Sequence, residues 1–514
     1  MTVSRRSVLL QGGVFGAGMI AASMPGIEAL AQGQPPERRS LEGLAWNDPI
    51  VATYRDGVGI LKQKAATDKL SWAGLSTIHG TDPDTYHFCP HGNWYFLPWH
   101  RAFLLMYERI IRDVTKNKDF AMPFWDWTAN PTMPQVFLTP KTPDGKTNWL
   151  FVNDKDFGQT WKRTWPNKKP MPADQVGSAV LQQILQSTDY EEFGTSRPAG
   201  QNNVDQSWIV DENSGNQGVL EGLAHNMVHN NIGGWMPSAS SSRDPIFFMH
   251  HSNIDRIWAL WNSLGNQNSS DPLWNDMQIQ NNFLNPDGSF YSPKVSELYV
   301  PEDLGYTYNL GPQMSFEQPA TVMALHTNLR AVRAQGPLPA TAQVKKFSAP
   351  AQGAATAGKP LTIAVDVDPA LVTQVARRTP VSSGRALLSA AAVREQRASG
   401  TRAVAFVRDV AVTGPRQTEF RVFLDAPEIT PQTSTSDPHY VGSFGVIVHG
   451  AEGHANHANP SFAVDLTMAI QRVYGSVPQA GGRLSLQIQP VPSGDTKQAG
   501  TAKPSRVEVA FVTS

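Results

Sequence analysis

Two sets of histidines embedded among apolar residues constrain this 514-residue chain more than any other feature. Of its 13 histidines, eight fall between positions 79 and 100 or between positions 225 and 251. Solvent exposure alone gives no reason for this clustering, whereas a buried imidazole needs a hydrogen-bond partner or a metal ion. The pattern therefore predicts a fold that brings the two sets together to hold two metal ions.

The first set consists of His79, His91 and His100. Proline is tolerated in the first turn of a helix, so Pro98 and the apolar residues that recur after it predict a helix opening at Phe96, with His100 on its apolar stripe. A lone histidine there is more often a core residue, but two further imidazoles can converge on it from the segment before the helix. His87 is a rival for His79 that spacing leaves open.

The second set begins with Glu221, His225 and His229, which are each four residues apart. This spacing predicts one helical face, and histidines at i and i+4 are a common metal-binding pair.

Asp244-Pro245 then predicts the start of another helix, which carries the adjacent pair His250 and His251. Asp255 follows His251 by one turn, so we expect its carboxylate either to orient a liganding imidazole or to pair with Arg256.

Imidazoles alone do not identify the metal, because zinc, copper, iron and nickel all accept nitrogen ligands. Two equal sets without an evident carboxylate ligand favour a paired redox centre over two separate zinc hydrolase sites. A histidine-rich core without metal is the structural alternative.

The overall charge argues against polyanionic partners. Lys and Arg total 43 against 44 Asp and Glu, so binding of nucleic acid or of an anionic membrane surface is not expected, and a small neutral partner fits better.

Residues 1–31 read as a signal segment, with the pair Arg5-Arg6, an apolar stretch and a small-residue cleavage site at Ala29-Leu30-Ala31. The paired arginines indicate the twin-arginine route and a periplasmic or extracellular location. After cleavage no membrane-spanning segment is expected. Cys89 is the single cysteine, so no intramolecular disulfide can form.

The chain divides into regions of different composition, as its length suggests. Residues 40–336 are rich in aromatic residues with helical spacing, and residues 337–360 have the Pro, Ala, Gln and Gly content of a linker. Short alternating runs then predict a β domain over 361–514, with strands near 361–367, 403–407, 420–424, 485–489 and 507–512.

Three segments carry a family resemblance. The stretch from His91 to Arg101, the stretch from Asp244 to Arg256, and Met122-Pro-Phe-Trp-Asp-Trp127 between them resemble the copper signatures and the connecting motif of tyrosinases, and the similarity spans most of 45–265. The C-terminal region is similar to that of plant polyphenol oxidases. The resemblance implies an α-rich copper domain built on a four-helix bundle, followed by a smaller all-β domain, a sandwich or a barrel.

The family pattern implies which residues act. The first copper would be held by His79, His91 and His100, and the second by His225, His229 and His251. Cys89 would be joined to His91 by a thioether, as in fungal relatives. Glu221 and Asn226 would hold a water that deprotonates phenols, and Ser238 would occupy the gate position over the coppers, where its small size leaves the entrance open.

The resemblance implies a tyrosinase, which uses O2 and two copper ions to hydroxylate small monophenols and to oxidise o-diphenols to o-quinones. A catechol or o-aminophenol oxidase without monophenolase activity, and a haemocyanin-like oxygen carrier, are the alternatives. The C-terminal domain would shield the site, and its His449, His454 and His457 would be solvated loop residues or copper carriers. The assembly state, monomer or homo-oligomer, stays open.

Overall fold

The structure is a computed structural model that describes residues 34–82, 85–152, 163, 165, 169–209, 215–310, 328–330, 332–333, 343–377, 401–447, 459–476, 481–494 and 496–513. The predicted signal segment, and with it the twin-arginine motif, lies outside the described residues. So do His449, His454 and His457.

Helices dominate the part of the chain before residue 311, and two further short helices lie among the described residues after 343. Within the described residues the α-helices, α1 to α11 in chain order, are Pro49–Gln63, Trp72–Ser76, Phe96–Thr115, Ala173–Val176, Ser178–Gln186, Tyr190–Phe193, Asn226–Ile232, Ile246–Ser263, Pro272–Asn275, Pro369–Ala376 and Thr467–Tyr474. A π-helical segment, Leu220–His225, runs directly into α7. Short 3-10 turns occupy Gln135–Phe137, Gln206–Ile209, Ser241–Arg243, Val295–Leu298 and Pro301–Leu304.

Strands dominate the part after residue 343. Within the described residues they are, β1 to β15 in chain order, Gly80–Asp82, Thr85–Tyr86, Asn216–Gln217, Phe283–Leu284, Phe290–Tyr291, Val344–Pro350, Leu361–Asp366, Thr401–Arg408, Ala411–Thr413, Thr418–Leu424, Tyr440–Gly445, Ser461–Asp465, Arg483–Pro492, Thr501–Lys503 and Arg506–Thr513. The five strands predicted after residue 360 are thus confirmed, as are the helices predicted to open at Phe96 and after Pro245.

Three long helices frame the metal-site region. Helix α1 begins at Pro49, where the Asp48 side chain accepts a hydrogen bond from the backbone N–H of Ile50 at 2.9 Å. It packs closely on α3, because a Cβ at Gly57 would lie 2.8 Å from a side-chain carbon of Ile111. Helix α3 in turn contacts α8 through a buried ion pair between Arg101 and Asp255.

We define residues 344–513 as the C-terminal β part. Its described strands form two larger sheets, and the second of these also includes β3 from the helical part. One has four strands in the order β11-β10-β13-β7, and the other has five strands in the order β3-β12-β8-β15-β6. Both sheets contribute to one hydrophobic cluster, in which the rings of Phe444 and Phe462 stack at 4.2 Å. This arrangement is that of a sandwich, to which α10 and α11 add helical turns that the sequence analysis did not predict.

Strand β6 corrects the predicted linker. Val344–Pro350 lies inside 337–360, yet it pairs antiparallel with β15 from Val344↔Val512 to Pro350↔Arg506. The strand lies at the edge of the sheet and contains two lysines, as is typical of edge strands. This polar composition resembles that of a linker.

The helical and β parts are joined by a shared sheet. Strand β3, which precedes the π-helical segment, pairs in parallel with β12 of the β part, Ser461 opposite Asn216 and Phe462 opposite Gln217. Arg408 of β8 also donates to the Asn216 side chain. None of the helices in the described residues has both the length and the apolar composition that spanning a bilayer requires.

Candidate dinuclear metal centre

The first histidine set meets at the N-terminal end of α3. His79 lies between α2 and β1, His91 lies in the loop before α3, and His100 is in the first turns of α3. Their ring centroids are 5.6 to 5.9 Å apart in pairs, and all three are buried. With Cys89 they bring one ligand atom each to within 4.8 Å of the others.

His87 does not join this cluster. Its side chain is exposed, its ring stacks on Phe88 at 3.8 Å, and its Nδ1 lies 3.2 Å from the Thr77 carbonyl. The backbone N–H of His87 donates to the His79 carbonyl, so the two residues sit on facing segments with only His79 turned into the core.

The second set is carried by the π-helical segment, α7 and α8. The ring of His225 lies 4.5 Å from that of His229 and 5.1 Å from that of His251, centroid to centroid. Nε2 of His229 is 3.2 Å from Nε2 of His251. His250 also belongs to this buried cluster.

The two sets face each other. The rings of His100 and His251 stack at 4.2 Å with an angle of 10° between their planes, and His91 lies 5.8 Å from His225. Because α3 carries one stacked ring and α8 carries the other, the packing of these two helices fixes the distance between the sets.

Oxygen acceptors orient four of the imidazoles through Nδ1. The Nδ1–H of His79 is positioned to donate to Ala239 O at 2.5 Å, and that of His100 to Phe96 O at 2.8 Å. In the second set, the Nδ1–H of His225 is positioned to donate to Asn226 Oδ1 at 2.9 Å, and that of His229 to Met236 O at 2.6 Å. A neutral imidazole that donates from Nδ1 keeps its lone pair on Nε2, the atom that can bind a metal. Four of the six predicted ligands are thus held in a metal-binding tautomer.

Burial keeps these imidazoles neutral. It lowers the pKa of His100, His225 and His251 well below the usual value, and the neighbouring histidines lower it further. Neutral imidazole is the form that binds metal ions. The donor set, six buried imidazoles in two facing triplets, therefore fits two copper ions.

His250 differs from the other members of its cluster in its hydrogen bond. The indole N–H of Trp127 donates to Nδ1 of His250 at 3.2 Å, so in the neutral ring the hydrogen sits on Nε2. An imidazole in this form has no lone pair left for a metal. Spacing alone could not supply this distinction, since Trp127 is distant along the chain, and only the family resemblance indicated His251.

The loop after α7 serves both sets. Gly233 and Gly234 have φ values of 70° and 60°, a left-handed region that favours glycine, and they turn the chain back past the cluster. Met236 and Ala239 then present the carbonyls that accept from His229 and His79. Ser238, the predicted gate residue, is buried in this loop and its hydroxyl donates to the Trp235 carbonyl at 2.7 Å.

The sequence analysis places Glu221, His225 and His229 on one face of an α-helix, and the π-helical segment alters this arrangement. Its i to i+5 hydrogen bonds break the α-helical period between Glu221 and His225, so these residues do not share one α-helical face with His229. Glu221 is fully buried. Its Oε1 accepts from the backbone N–H of Gly92 at 2.7 Å and its Oε2 accepts from the hydroxyl of Thr195.

Asn226 is held from several sides. Its Oδ1 accepts from His225, and its Nδ2 donates to Gln217 Oε1 and to the Gly445 carbonyl, both at 2.8 Å. Asn230, one turn later, donates to the Val446 carbonyl at 2.9 Å. The β part therefore lies against α7, which carries His229 and directly follows His225.

Asp255 has partners other than those expected. It pairs with Arg101 and Arg38, whereas Arg256 pairs with Asp126 at 3.1 Å. The expectation that Asp255 orients an imidazole or binds Arg256 was wrong, because α3 supplies a buried arginine, Arg101, that sequence spacing does not reveal. Burial alone raises the pKa of Asp255, but Arg101 and Arg38 more than offset this and hold the pKa below its ordinary value.

Comparison with known proteins shows what the central part of this chain is similar to. The tyrosinase family, described as the common central domain of tyrosinase, matches residues 69–264. The chain is 27% identical over 317 residues to the tyrosinase HcTyr1 of Hahella sp. (strain CCB-MM4), covering 53% of this chain and 63% of that protein. It is 32% identical over 204 residues to the chloroplastic (+)-larreatricin hydroxylase of Larrea tridentata, covering 36% of this chain and 32% of that protein. The matches thus span less than two thirds of these relatives.

Solved structures extend the likeness to the β part. Latent apple tyrosinase matches 94% of this chain and 98% of its own, with a TM-score of 0.59 and 18% identity. Latent aurone synthase, a polyphenol oxidase, matches 94% of this chain and 90% of its own, with a TM-score of 0.58 and 18% identity. At such identity the likeness establishes the fold. Both histidine sets lie inside the segment that matches the common central domain of tyrosinase, residues 69–264.

Proposed function

We propose that this chain is a dicopper phenol oxidase that converts monophenols and o-diphenols to o-quinones with O2. One copper is assigned to His79, His91 and His100, and the other to His225, His229 and His251. The observation that carries the proposal is the stacking of His100 on His251 at 4.2 Å, which joins two buried imidazole triplets into one centre. Bound copper would supply the redox chemistry that O2 and the phenol need.

The proposed reactions balance without a further reductant. One monophenol and one O2 give one o-quinone and one water, and two o-diphenols and one O2 give two o-quinones and two waters. Each requires the phenolic hydroxyl, with a pKa of about 10, to lose its proton before the oxygen binds a metal. Small phenols are therefore the proposed substrates.

The protein groups around the imidazoles would bind the ring and exclude water. Phe247 lies 5.1 Å from His79 and 4.1 Å from His251, and Phe96 lies 4.7 Å from His225, centroid to centroid. All of these rings are buried. Such a dry, aromatic surrounding suits an aromatic substrate and strengthens the electrostatic effect of any nearby base.

Glu221 and Asn226 are the proposed polar pair for deprotonation. Glu221 supplies a buried carboxylate near His91, through its hydrogen bond from Gly92, and Asn226 follows His225 directly. A carboxylate or a water that it polarises can accept the phenolic proton. Ser238 remains the proposed gate residue, since its loop contacts both histidine sets.

We also propose that helices α1, α3, α7 and α8 correspond to the four-helix bundle of a copper domain within 40–336, and that the β part shields it. Arg416, between β9 and β10, donates to the Pro237 carbonyl beside Ser238, which supports a covered entrance. Limited proteolysis between the two parts should raise activity, and unchanged activity would contradict the shield. Export by the twin-arginine route and a Cys89–His91 thioether complete the proposal.

Copper analysis and initial rates test the function. The expected result is about two coppers per chain, altered near-ultraviolet and visible absorption on addition of hydrogen peroxide, and oxygen consumption with both tyrosine and catechol. Fewer than two coppers would overturn the dicopper assignment. Turnover of catechol alone would indicate a diphenol or o-aminophenol oxidase, and reversible O2 binding without turnover would indicate an oxygen carrier.

The role of Glu221 is tested by Glu221→Gln with the exposed Glu42→Gln as a matched control. We expect Glu221→Gln to lower monophenol turnover about tenfold to a hundredfold, with a smaller effect on o-diphenol turnover. Equal losses with both substrates would show that Glu221 has another role.

A further inference from the structure

We propose that Thr195 is a positioning residue for Glu221, with a hydroxyl that serves the carboxyl group in both of its protonation states. This inference rests on the proposed function, in which Glu221 takes up the phenolic proton directly or through a water that it polarises. Thr195 Oγ1 lies within hydrogen-bond reach of Glu221 Oε2 and also 2.7 Å from the carbonyl oxygen of Gly194. Thr195 and Glu221 are 1% and 0% exposed, so solvent does not replace either contact.

One hydroxyl hydrogen faces two acceptors here. A threonine hydroxyl donates one hydrogen bond and can accept others. When Glu221 is ionised, the hydroxyl donates to its Oε2. When Glu221 has taken the phenolic proton, its own O–H donates to Thr195 Oγ1 and the threonine hydrogen turns to Gly194 O. Only one O–H bond breaks, on the phenol, and one forms, on Glu221.

The Gly194 carbonyl can accept the turned hydroxyl without losing its existing partner. It accepts from the backbone N–H of Gly218 at 2.9 Å, and a carbonyl oxygen has a second lone pair. Gly218 is held tightly against it, since a Cβ at Gly218 would clash with Gly194 O. The acceptor is therefore fixed in place, and the hydroxyl rotates between two preformed positions.

The same backbone pairing also supports Asn226. Thr195 forms an antiparallel bridge with Gln217, and Gln217 Oε1 accepts from Nδ2 of Asn226 at 2.8 Å. The groups that hold Glu221 and Asn226 thus lie opposite each other on one short β pairing. Glu221 keeps a second fixed contact through the backbone N–H of Gly92 at 2.7 Å.

Two matched pairs of variants separate the hydroxyl from the shape of the side chain. Thr195→Val replaces the hydroxyl by a methyl group, to be compared with the wild type. Thr195→Ala and Thr195→Ser both lack the methyl group and differ by one oxygen. Each purified, copper-loaded full-length chain is assayed for monophenol and o-diphenol turnover, and copper content and thermal midpoint are recorded.

We expect Thr195→Val and Thr195→Ala to lower monophenol kcat about tenfold or more, as loss of a hydrogen bond to a charged group would. Thr195→Ser should stay within about threefold of the wild type, and copper content should be unchanged in every variant. If Thr195→Val does not fold, the ratio of monophenol kcat between Thr195→Ser and Thr195→Ala decides. A ratio near one, or equal loss of monophenol and o-diphenol turnover, would overturn the proposal.

Failure of the proposed function has a different signature. If the wild type oxidises only o-diphenols, the monophenolase assignment fails. The turnover of the wild type is then compared with that of Thr195→Val, and that of Thr195→Ser with that of Thr195→Ala, on the o-diphenol, whose hydroxyl must also lose a proton. A hydroxyl-dependent ratio there supports Thr195 as a partner of Glu221. A ratio near one on that substrate rejects it.

Discussion

Arg101 and Asp255 join the two helices that carry the stacked imidazoles, with Nε of Arg101 2.5 Å from Oδ1 of Asp255. Arg101 follows His100 directly, and Asp255 lies one turn after His251. Asp255 Oδ2 also binds Arg38 at 3.1 Å and accepts from the hydroxyl of Tyr306 at 2.8 Å. The relative position of α3 and α8, and with it the spacing of the two histidine sets, depends on this buried carboxylate.

Replacing Asp255 by asparagine should therefore destabilise the chain strongly. The change leaves the buried guanidinium of Arg101 with a neutral partner, while Arg38 keeps its ion pair with Glu108. Breaking a buried ion pair typically costs about 3–5 kcal/mol. Urea unfolding of the purified chain measures the effect. Asp366→Asn is the matched control, since Asp366 pairs with Arg483 on the surface, where such pairs contribute at most about 1 kcal/mol. Similar losses in both variants would contradict the role given to Asp255.

Local patterns predicted the elements that bear the histidines. Pro98 and the apolar spacing after it indicated α3, and Asp244-Pro245 indicated α8, because both signals lie within a few residues of the helix start. Alternation predicted the inner strands of the β part for the same reason. The resemblance added the identity of the metal and the choice of His79 and His251 as ligands, which spacing alone left open.

Contacts between distant segments were not predictable. Trp127 distinguishes His250 from His251, and Thr195 holds Glu221, yet neither partner is marked by a local pattern. The π-helical segment before α7 has no periodic signal either, and it packs against the β part, where a Cβ at Gly222 would lie 3.3 Å from the ring of Phe462. The ligand roles and the domain boundaries remain predictions.

The two adjacent histidines should differ sharply in copper binding. His251→Ala should reduce copper to about one ion per chain, because one triplet loses a ligand. His250→Gln should retain about two ions, since the neutral ring of His250 accepts from Trp127 through Nδ1 and carries its hydrogen on Nε2. Metal analysis after extensive dialysis gives the counts. Loss of copper in the His250 variant with retention in the His251 variant would reverse the assignment.

Stability should depend on pH through Glu419, which lies in the β part near the helical part. Burial raises the pKa of Glu419 above its usual 4.5, as does nearby Asp174, although Arg421 opposes the change. An acid with a raised folded-state pKa binds a proton more tightly when folded. Its contribution to stability is full below about pH 4.5 and is lost as the pH rises through the folded-state pKa.

Glu419→Gln should remove this dependence. The free energy of unfolding of the wild type should fall by up to about 1.4 kcal/mol per pH unit within that window, and the variant should show a flatter profile. Chemical unfolding at several pH values between about pH 4 and pH 8 measures both slopes. The exposed Glu428→Gln serves as control and should follow the wild type. Parallel profiles for the wild type and Glu419→Gln would exclude Glu419 as the source.

Cys89 should become linked to His91 once copper and O2 are supplied. The buried Sγ lies 3.7 Å from Nδ1 and 4.0 Å from Nε2 of His91, and 3.3 Å from Nε2 of His100. A thioether joins the sulfur to a ring carbon, and O2 takes up the hydrogen lost from each atom. Peptide mass spectrometry should therefore find a linked Cys89–His91 peptide that resists alkylation, whereas protein kept free of copper should be alkylated fully under denaturing conditions. A link to His100 would contradict the choice of His91, and a thiol that stays reactive after repeated turnover would show that the sulfur is only a packing group.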